Sequence, residues 1–360
     1  MFKNLHNRFF PIPKFLSMPS FGFDVSDESL KFVRLGVGKN GIKIEQYGEC
    51  KVPAGIIESG KIKQPKALIK ILTDLKKEHN IKSVRVSLPE EQLYLFRLKL
   101  EKNGLQDIKE GIELSLEEHI PIPAQEAIFD YEILKEDNSG VFVQVAAMQR
   151  FLIEDYLSVF EQAGIMVASM EPEAQAASRA IIKRDDANTY MVVDFGEKRT
   201  GISIISKGVV MFTSTVDVGG VMLTNLIQKS FNISFEEAEK MKQQYGLQRN
   251  SINKEMFSVL LNGVSILRDE IDRHFLYWHT HQDEEGKDNP PIEKILLCGG
   301  DSNLIGLTEY LSVSMKHKVE VANSWTNILN VEKKIPKIDF KKSLSYTTAL
   351  GLALGDFNYD

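Results

Sequence analysis

The sequence predicts an α/β protein built from two similar halves, and three stretches carry that prediction. Tyr190 to Ile205 reads as a buried strand ending in Asp194, a tight turn bracketed by Gly196 and Gly201, and a second strand. Phe21 to Leu35 repeats the order, with Asp24 closing its first strand. Lys294 to Leu304 reads as a strand running into Gly299 and Gly300 and then a helix. Asp and Gly are ordinary turn formers, so one such hairpin is a weak signal; its recurrence gives it weight. A carboxylate at the mouth of a hairpin is costly unless something pairs with it. Hydrated Mg2+ on a phosphate chain is one such partner, and backbone amides of a Gly-containing turn bind phosphate directly.

With 360 residues, 43% of them hydrophobic and 26% charged, the chain is long enough for two domains and a sizeable core. A net charge of -6 argues against nucleic acid as the main partner. Cys50 and Cys298 lie far apart in unlike surroundings, which points to a reducing compartment without a disulfide framework. No apolar run approaches the roughly twenty residues of a membrane-crossing helix. Residues 1–19 form an extension in which Lys3, Arg8 and Lys14 are basic and Pro11, Pro13 and Pro19 forbid one continuous helix. It reads as a mostly disordered arm, with a membrane-surface or docking peptide as the alternative.

In chain order, a third strand follows the first hairpin over 42–52. Pro65 suits the first turn of a helix reaching about His79, with Leu68, Ile71, Leu72 and Leu75 on one buried face. Ser83 to Pro89 is a strand ended by its proline. An inserted α+β module is expected over 90–164: a strand Tyr94–Leu100, a helix Asp107–His119, strands over 129–134 and 141–148, and a helix from Phe151 stopped by Gly164. It carries no catalytic constellation, and His119 to Pro123 reads as a structural turn. Ile165 to Ser169 resumes the first sheet, and the small residues after Glu171 and Pro172 let a helix pack closely on it. The second half repeats the order with a strand over Val209–Val216 and a helix from Gly219 and Gly220 through Phe231. Ser234-Phe235-Glu236-Glu237 is a capping box whose helix ends at Gly246. A long amphipathic helix runs from about Lys254 to Trp278. His274, His279 and His281 near its end lack an acid or Cys at suitable spacing and read as packing or solvated side chains. After the glycine-turn strand, Tyr346 to Leu354 is small, apolar and expected to be a buried closing helix.

Two acid-tipped hairpins and a strand-Gly-Gly-helix junction, in that order, resemble the actin, Hsp70 and sugar-kinase ATPase superfamily. The resemblance implies an actin-like ATPase fold, two ribonuclease-H-like domains around a nucleotide cleft. The first would span 20–89 and 165–190, closed by a C-terminal helix at 343–357; the second would span 191–342; and 90–164 would be an FtsA-like inserted subdomain. Three stretches narrow the match. They are Ile120-Pro121-Ile122-Pro123 with Asp130-Tyr131, Ile153-Glu154-Asp155-Tyr156 through Ala163-Gly164-Ile165, and Gly219-Gly220 with Ile233-Ser234-Phe235-Glu236-Glu237-Ala238-Glu239. On these, over roughly residues 20–356, the chain resembles the PilM family of type IV pilus assembly.

That resemblance implies a cytoplasmic ATP-binding scaffold, peripheral to the inner membrane, of a type IV pilus or related type II secretion-like machine. Its partners would be the cytoplasmic N-terminal peptide of a PilN-like single-span membrane protein, taken in a groove between first domain and insert, and other assembly components; self-association is a further expectation. The implied cofactors are ATP and Mg2+, with at most slow hydrolysis. By the same match, Asp24, Ser26, Ser29 and Lys31 form the first phosphate loop and Asp194, Gly196 and Thr200 the second. Gly219 and Gly220 join the nucleotide site, Gly299, Gly300 and Ser302 lie by the adenosine, and Asp24 and Asp194 hold Mg2+ through water. Glu171 would orient water or a hydrated metal, or else is an acidic first helix turn beside the dipole. One departure is Ser26-Asp27-Glu28, where the family commonly has Gly and Ser or Thr. Two extra carboxylates repel a polyphosphate, so weak ATP binding is expected. The competing readings are an FtsA-like or MreB-like filament protein and a small-molecule kinase. The latter would need a catalytic base facing a substrate pocket.

Overall fold

The structure, a computed structural model, describes residues 19–38, 41–101, 107–138, 140–248, 254–282, 286–329 and 335–357; the basic arm lies outside them except for its last residue. Strands β1 (Phe21–Val25), β2 (Ser29–Gly38) and β3 (Gly41–Lys51) form an antiparallel meander. A small hairpin, β4 (Ile57–Glu58) and β5 (Lys61–Ile62), leads to helix α1 (Pro65–His79), which has its proline in the first turn and Leu68, Leu72 and Leu75 buried. Strand β6 (Ser83–Leu88) pairs in parallel with β1.

The chain then leaves the sheet through a 3-10 turn, Glu90–Gln92, and builds β7 (Tyr94–Leu100), α2 (Ile108–His119), β8 (Ala127–Asp137) and β9 (Gly140–Gln149). These strands form a separate sheet, β7-β9-β8, and α2 buries Ile112 and Leu116 against it with Val143 and Val145. Helix α3 (Arg150–Gln162), expected within the module, sets Leu152 against Met148 of β9 and turns the rest of its apolar face to the first domain. Its Tyr156, Val159 and Phe160 pack with Phe23, Leu72 and Val84 of the first domain, and the Tyr156 hydroxyl donates to the Gly60 carbonyl at 3.0 Å. Helical periodicity shows that a face is apolar, not which sheet will cover it.

Strand β10 (Met166–Pro172) completes the first sheet in the order β10-β6-β1-β2-β3 and passes into α4 (Glu173–Ile181). The second domain repeats the plan. Strands β11 (Thr189–Phe195), β12 (Thr200–Ser206) and β13 (Val209–Val216) make its meander. Helix α5 (Gly220–Phe231), α6 (Phe235–Tyr245) and the long α7 (Lys254–Thr280) follow, and α6 opens on the expected capping box of Ser234 with Glu237. Helix α7 lays Met256, Leu260, Val264, Leu267, Ile271 and Trp278 into the core, and His274 packs against the Phe212 ring. Strand β14 (Ile292–Cys298) runs parallel to β11, then a 3-10 turn (Gly300–Asn303), α8 (Leu307–Met315) and β15 (Val319–Val321) close the order β13-β12-β11-β14-β15.

After the short α9 (Phe340–Ser343), the fully buried α10 (Thr347–Leu354) returns to the first domain. Glycines make that return close. A Cβ on Gly22 of β1 would lie 2.0 Å from the Ala349 carbonyl oxygen, and one on Gly351 would lie 1.7 Å from that of Ala176 in α4. Just past α10, Asp356 accepts from the Ser20 amide at 2.7 Å and from Arg85 Nε at 2.9 Å. The same apolar cluster takes in Val33 of β2, Ala349 and Leu350 of α10, and Val192 and Cys298 of the second sheet, so α10 also joins the two domains.

Candidate functional site

Strands β1 and β11 both end at a cleft between the domains, with a volume of about 480 Å3. Each delivers an acid there because strand alternation turns one side chain per pair toward the cleft. Asp24 Oδ1 accepts from the Ser87 hydroxyl at 3.0 Å; burial holds its carboxyl above the ordinary range, and the Lys31 ammonium opposes that. Asp194 is pushed up to about 6 by burial and by the charge of Asp24. Two carboxylates held in this way are a site that a cation would relieve.

The first loop is folded on itself. Ser26 Oγ donates to the Ser29 carbonyl and accepts from its amide, both at 3.1 Å, and Lys31 Nζ donates to Ser29 Oγ at 2.7 Å. In the second loop the Gly196 amide donates to the Arg199 carbonyl at 3.0 Å and closes the hairpin. Gly299 is required by its conformation: its φ is +89°, and a Cβ would sit 2.4 Å from Asp194 Oδ1 and 2.5 Å from the Phe195 carbonyl oxygen. Gly300 lines the same cleft but has room for a methyl, its nearest neighbour being Ser345 Cβ at 3.6 Å.

Other expected site residues lie behind the cleft. Thr200 is wholly buried and spends its hydroxyl on the Val218 carbonyl at 2.5 Å, and Ser302 Oγ donates to the Cys298 carbonyl. Gly219 packs on the backbone of Lys198, and the Gly220 amide donates to the Gly196 carbonyl at 3.0 Å, so both buttress the second hairpin. Glu171 also lies away from the cleft. Arg179 holds its carboxylate with two hydrogen bonds of 2.9 and 2.6 Å, and it lines a different cavity. Two residues later, across Pro172, Glu173 is the acid that reaches the cleft, its carboxyl held well above the ordinary range by burial and by Asp24 and Glu91. Glu171→Gln is therefore expected to leave ATP affinity within about twofold while lowering stability by about 1–3 kcal/mol, the range for breaking one partner of a charged hydrogen-bonded pair. Calorimetric titration and a thermal melt would check both; a large loss of ATP binding would return Glu171 to the site.

The sequence reading passed over a set of basic and acidic groups that the fold gathers. Lys242 is almost wholly buried, with its ammonium 2.7 Å from Asp301 Oδ1, 3.0 Å from Glu239 Oε2 and donating to the Gly220 carbonyl at 3.1 Å. Glu239 stood inside the family-like stretch, and Lys242 one helical turn beyond it was the available signal. At the tip of the second hairpin, Lys198 Nζ lies 2.9 Å from Glu28 Oε1, and Arg199 pairs with Asp27 Oδ2 at 2.6 Å and with Glu91. Asp27 also accepts from the amides of Ser59 at 2.8 Å and Gly60 at 3.1 Å. The two extra carboxylates of the first loop are thus held by partners, Asp27 by Arg199 and Glu28 by Lys198, in ion pairs that bridge the cleft.

A larger cavity of about 810 Å3 opens on the other side of α4. Leu93, Leu95, Phe129 and Met148 of the insert line it together with Arg179 of α4 and Lys207–Val210 of the second domain. No helix among the described residues is long and apolar enough to cross a membrane.

The model of a protein family, type IV pilus assembly protein PilM, matches residues 22–357. The chain belongs to the PilM family of type IV pilus assembly proteins. Its fold is the actin-like ATPase fold, with the two halves expected from the repeated hairpins. It is similar to a solved PilM-PilN type IV pilus biogenesis complex, with a TM-score of 0.77 and 21% identity over 94% of this chain and 98% of that one. It is also similar to MreB 5 of Spiroplasma citri bound to AMPPNP, with a TM-score of 0.57 and 14% identity over 93% of this chain and 95% of that one. Cell division protein FtsA of Staphylococcus epidermidis is 21% identical over 212 residues, 53% of this chain and 44% of that protein, so the chain spans less than half the length of that curated relative.

Proposed function

We propose that this chain is an ATP-binding scaffold of a pilus assembly machine that holds the cytoplasmic N-terminal peptide of a PilN-like inner-membrane protein. The observation that carries the scaffold reading is the groove of about 810 Å3, in which apolar side chains of the insert, Leu93, Leu95, Phe129 and Met148, line one cavity with Arg179 of α4 and the charged residues 183–186 that follow it. An extended peptide gains affinity there from apolar anchors and main-chain hydrogen bonds, offset by its own ordering. A solved complex of this fold pairs PilM with PilN, which supports the same partner class here. Through that partner the scaffold would sit on the cytoplasmic face of the inner membrane.

The cleft supports ATP as the second ligand. Asp24 and Asp194 would hold hydrated Mg2+, which when bound neutralises charge on the triphosphate. The hairpin backbones at Ser26–Ser29 and Gly196–Arg199 would take the phosphates. Lys242 and Glu239 would lie on the adenosine side with Gly299 and Gly300. That MreB 5, which shares the fold, is solved bound to AMPPNP supports a nucleotide as the ligand.

The groove is tested by Ala146→Arg, which puts a long cation on the half-buried floor of β9. A labelled peptide of the partner's cytoplasmic N-terminal segment should bind the parent, and the variant at least about tenfold more weakly, about 1.4 kcal/mol. Equal anisotropy titrations for the two proteins would move the peptide elsewhere.

A further inference from the structure

The basic arm has a place to go on the fold. We infer that residues 9–16 lie antiparallel along the free edge of β10 and reach into the groove, where the partner peptide must displace them. The inference rests on the reading of the groove just given. Strand β10 ends the first sheet, with β6 on one side and no strand among the described residues on the other. None of its residues is buried, whereas five of the six in β6 are, and Met166 at its start is 47% exposed. An uncovered edge of this kind invites another strand. Its far end, Met170, Glu171 and Pro172, is part of the groove lining.

The described chain begins at the near end of that edge. Pro19 is exposed, and Ser20 Oγ lies 2.9 Å from Ser83 Oγ, with Ser83 paired in turn with Met166. Glu171, the partner of Ser87, is from there roughly 17 Å away, about four residues along and two strands across. An extended chain covers this in about six residues, so residues 1–18 have length to spare. A chain that arrives at Ser20 from the groove runs opposite to β10, which sets the antiparallel sense. The segment Phe9-Phe10-Pro11-Ile12-Pro13-Lys14-Phe15-Leu16 suits such an edge. Alternate N–H groups of a strand point to the same side, so Pro11 and Pro13 remove donors from one side only. The N–H groups of Phe10, Ile12 and Lys14 remain for β10, and the prolines close the outer side to further strands. Phe9 and Phe10 then meet Leu93, Phe129 and Met148 in the groove. Charge agrees with this placement. The arm carries Lys3, Arg8 and Lys14 and no acid, and the groove wall holds Asp130 and Glu132, neither in an ion pair among the described residues.

A tethered arm acts at an effective concentration of about a millimolar, so a Kd of about 0.25 mM for the detached segment already lowers partner affinity about fivefold. The test compares the full chain with a full-length variant carrying Phe10→Asp and Ile12→Asp, which puts two carboxylates in the apolar part of the arm. Thermal melts establish that each protein is folded. By fluorescence anisotropy, a labelled peptide of the PilN-like partner's cytoplasmic N-terminal segment should bind the variant at least about fivefold more tightly than the parent. A labelled synthetic peptide of residues 7–18 should bind the variant with a Kd below about 0.25 mM, and at least about tenfold more weakly once Ala146→Arg is added. Amides of residues 166–172 should exchange with solvent more slowly in the parent than in the variant. An arm peptide that leaves the variant unbound, or that binds equally with and without Ala146→Arg, overturns the inference. Equal exchange along β10 in the two proteins does the same, as does a partner peptide that binds both with one affinity. Parent that sediments with phosphatidylglycerol vesicles, while the arm peptide leaves the variant unbound, makes the arm a membrane-surface peptide and overturns it as well. A partner peptide that binds neither protein sinks the scaffold reading, and the arm titration, which contains no partner, then decides the inference by itself.

Discussion

Asp194→Ala is expected to lose Mg2+-dependent ATP binding by at least about 100-fold, close to 2.7 kcal/mol. The same protein should melt no lower than the parent at neutral pH. Both expectations come from one environment. The Asp194 carboxyl is raised from 3.8 to about 6 by burial and by Asp24, so the folded state holds its proton more tightly than the unfolded state does. Any stability it contributes is present below about pH 4 and lost as pH rises through about 6, so removing it at pH 7 relieves the fold. Mg2+ needs the ionised carboxylate, which gives a second signature: parental ATP affinity in Mg2+ should fall as pH is lowered through about 6. Calorimetric titration of both proteins above and below that value would decide. Equal binding by variant and parent would remove the cation from between the hairpins.

Gly351→Val should have the largest effect on stability, at least about 3 kcal/mol, beyond the usual cost of overpacking because the obstacle is backbone. A Cβ at this position would lie 1.7 Å from the Ala176 carbonyl oxygen and 2.5 Å from its carbon. No rotamer avoids that clash, since it is fixed by the separation of α10 and α4. Relief would need α10 to move away from α4, and α10 is also held closely on β1, where a Cβ on Gly22 would lie 2.0 Å from the Ala349 carbonyl oxygen. The two helices share the core cluster with β2 and the second sheet, so a shift would open apolar surface in both domains. A urea midpoint for the variant equal to that of the parent would show that the helices can separate at little cost.

The parts of this protein that are legible in its sequence are those specified locally. The acid-tipped hairpins need only a buried strand, an Asp and a glycine turn, and Asp24 and Asp194 stand where that pattern puts them. The capping box of α6 is a matter of four residues. What tertiary packing decides could not be read in the same way. Glu171 and Glu173 flank one proline, and only the passage from β10 into α4 settles which of them reaches the cleft. Thr200 and Ser302 match a pattern of polar residues near phosphate loops, yet each hydroxyl is consumed by a carbonyl of its own domain. Arg199 looks like an ordinary turn cation until Asp27 and Glu91 arrive from far along the chain. Helix α3 shows a clear apolar face, but most of it, Tyr156, Val159 and Phe160, is covered by α1 and the first sheet, and only Leu152 meets Met148 of the strand just before it.

The place of α10 sets an order of events at the ribosome. Strand β1 is among the earliest described residues to be synthesised, yet its close neighbour Ala349 and the Asp356 carboxylate that takes the Ser20 amide come near the end of the described chain. The second sheet, β11 to β15, is drawn from one continuous stretch and can assemble as it emerges. The first domain cannot close its core until residues 347–354 have left the exit tunnel, and translation from α4 to that point takes on the order of ten seconds or more. Throughout that interval the apolar side of β1 and α4 has no cover from its own chain, so the half of the molecule made first is the half finished last.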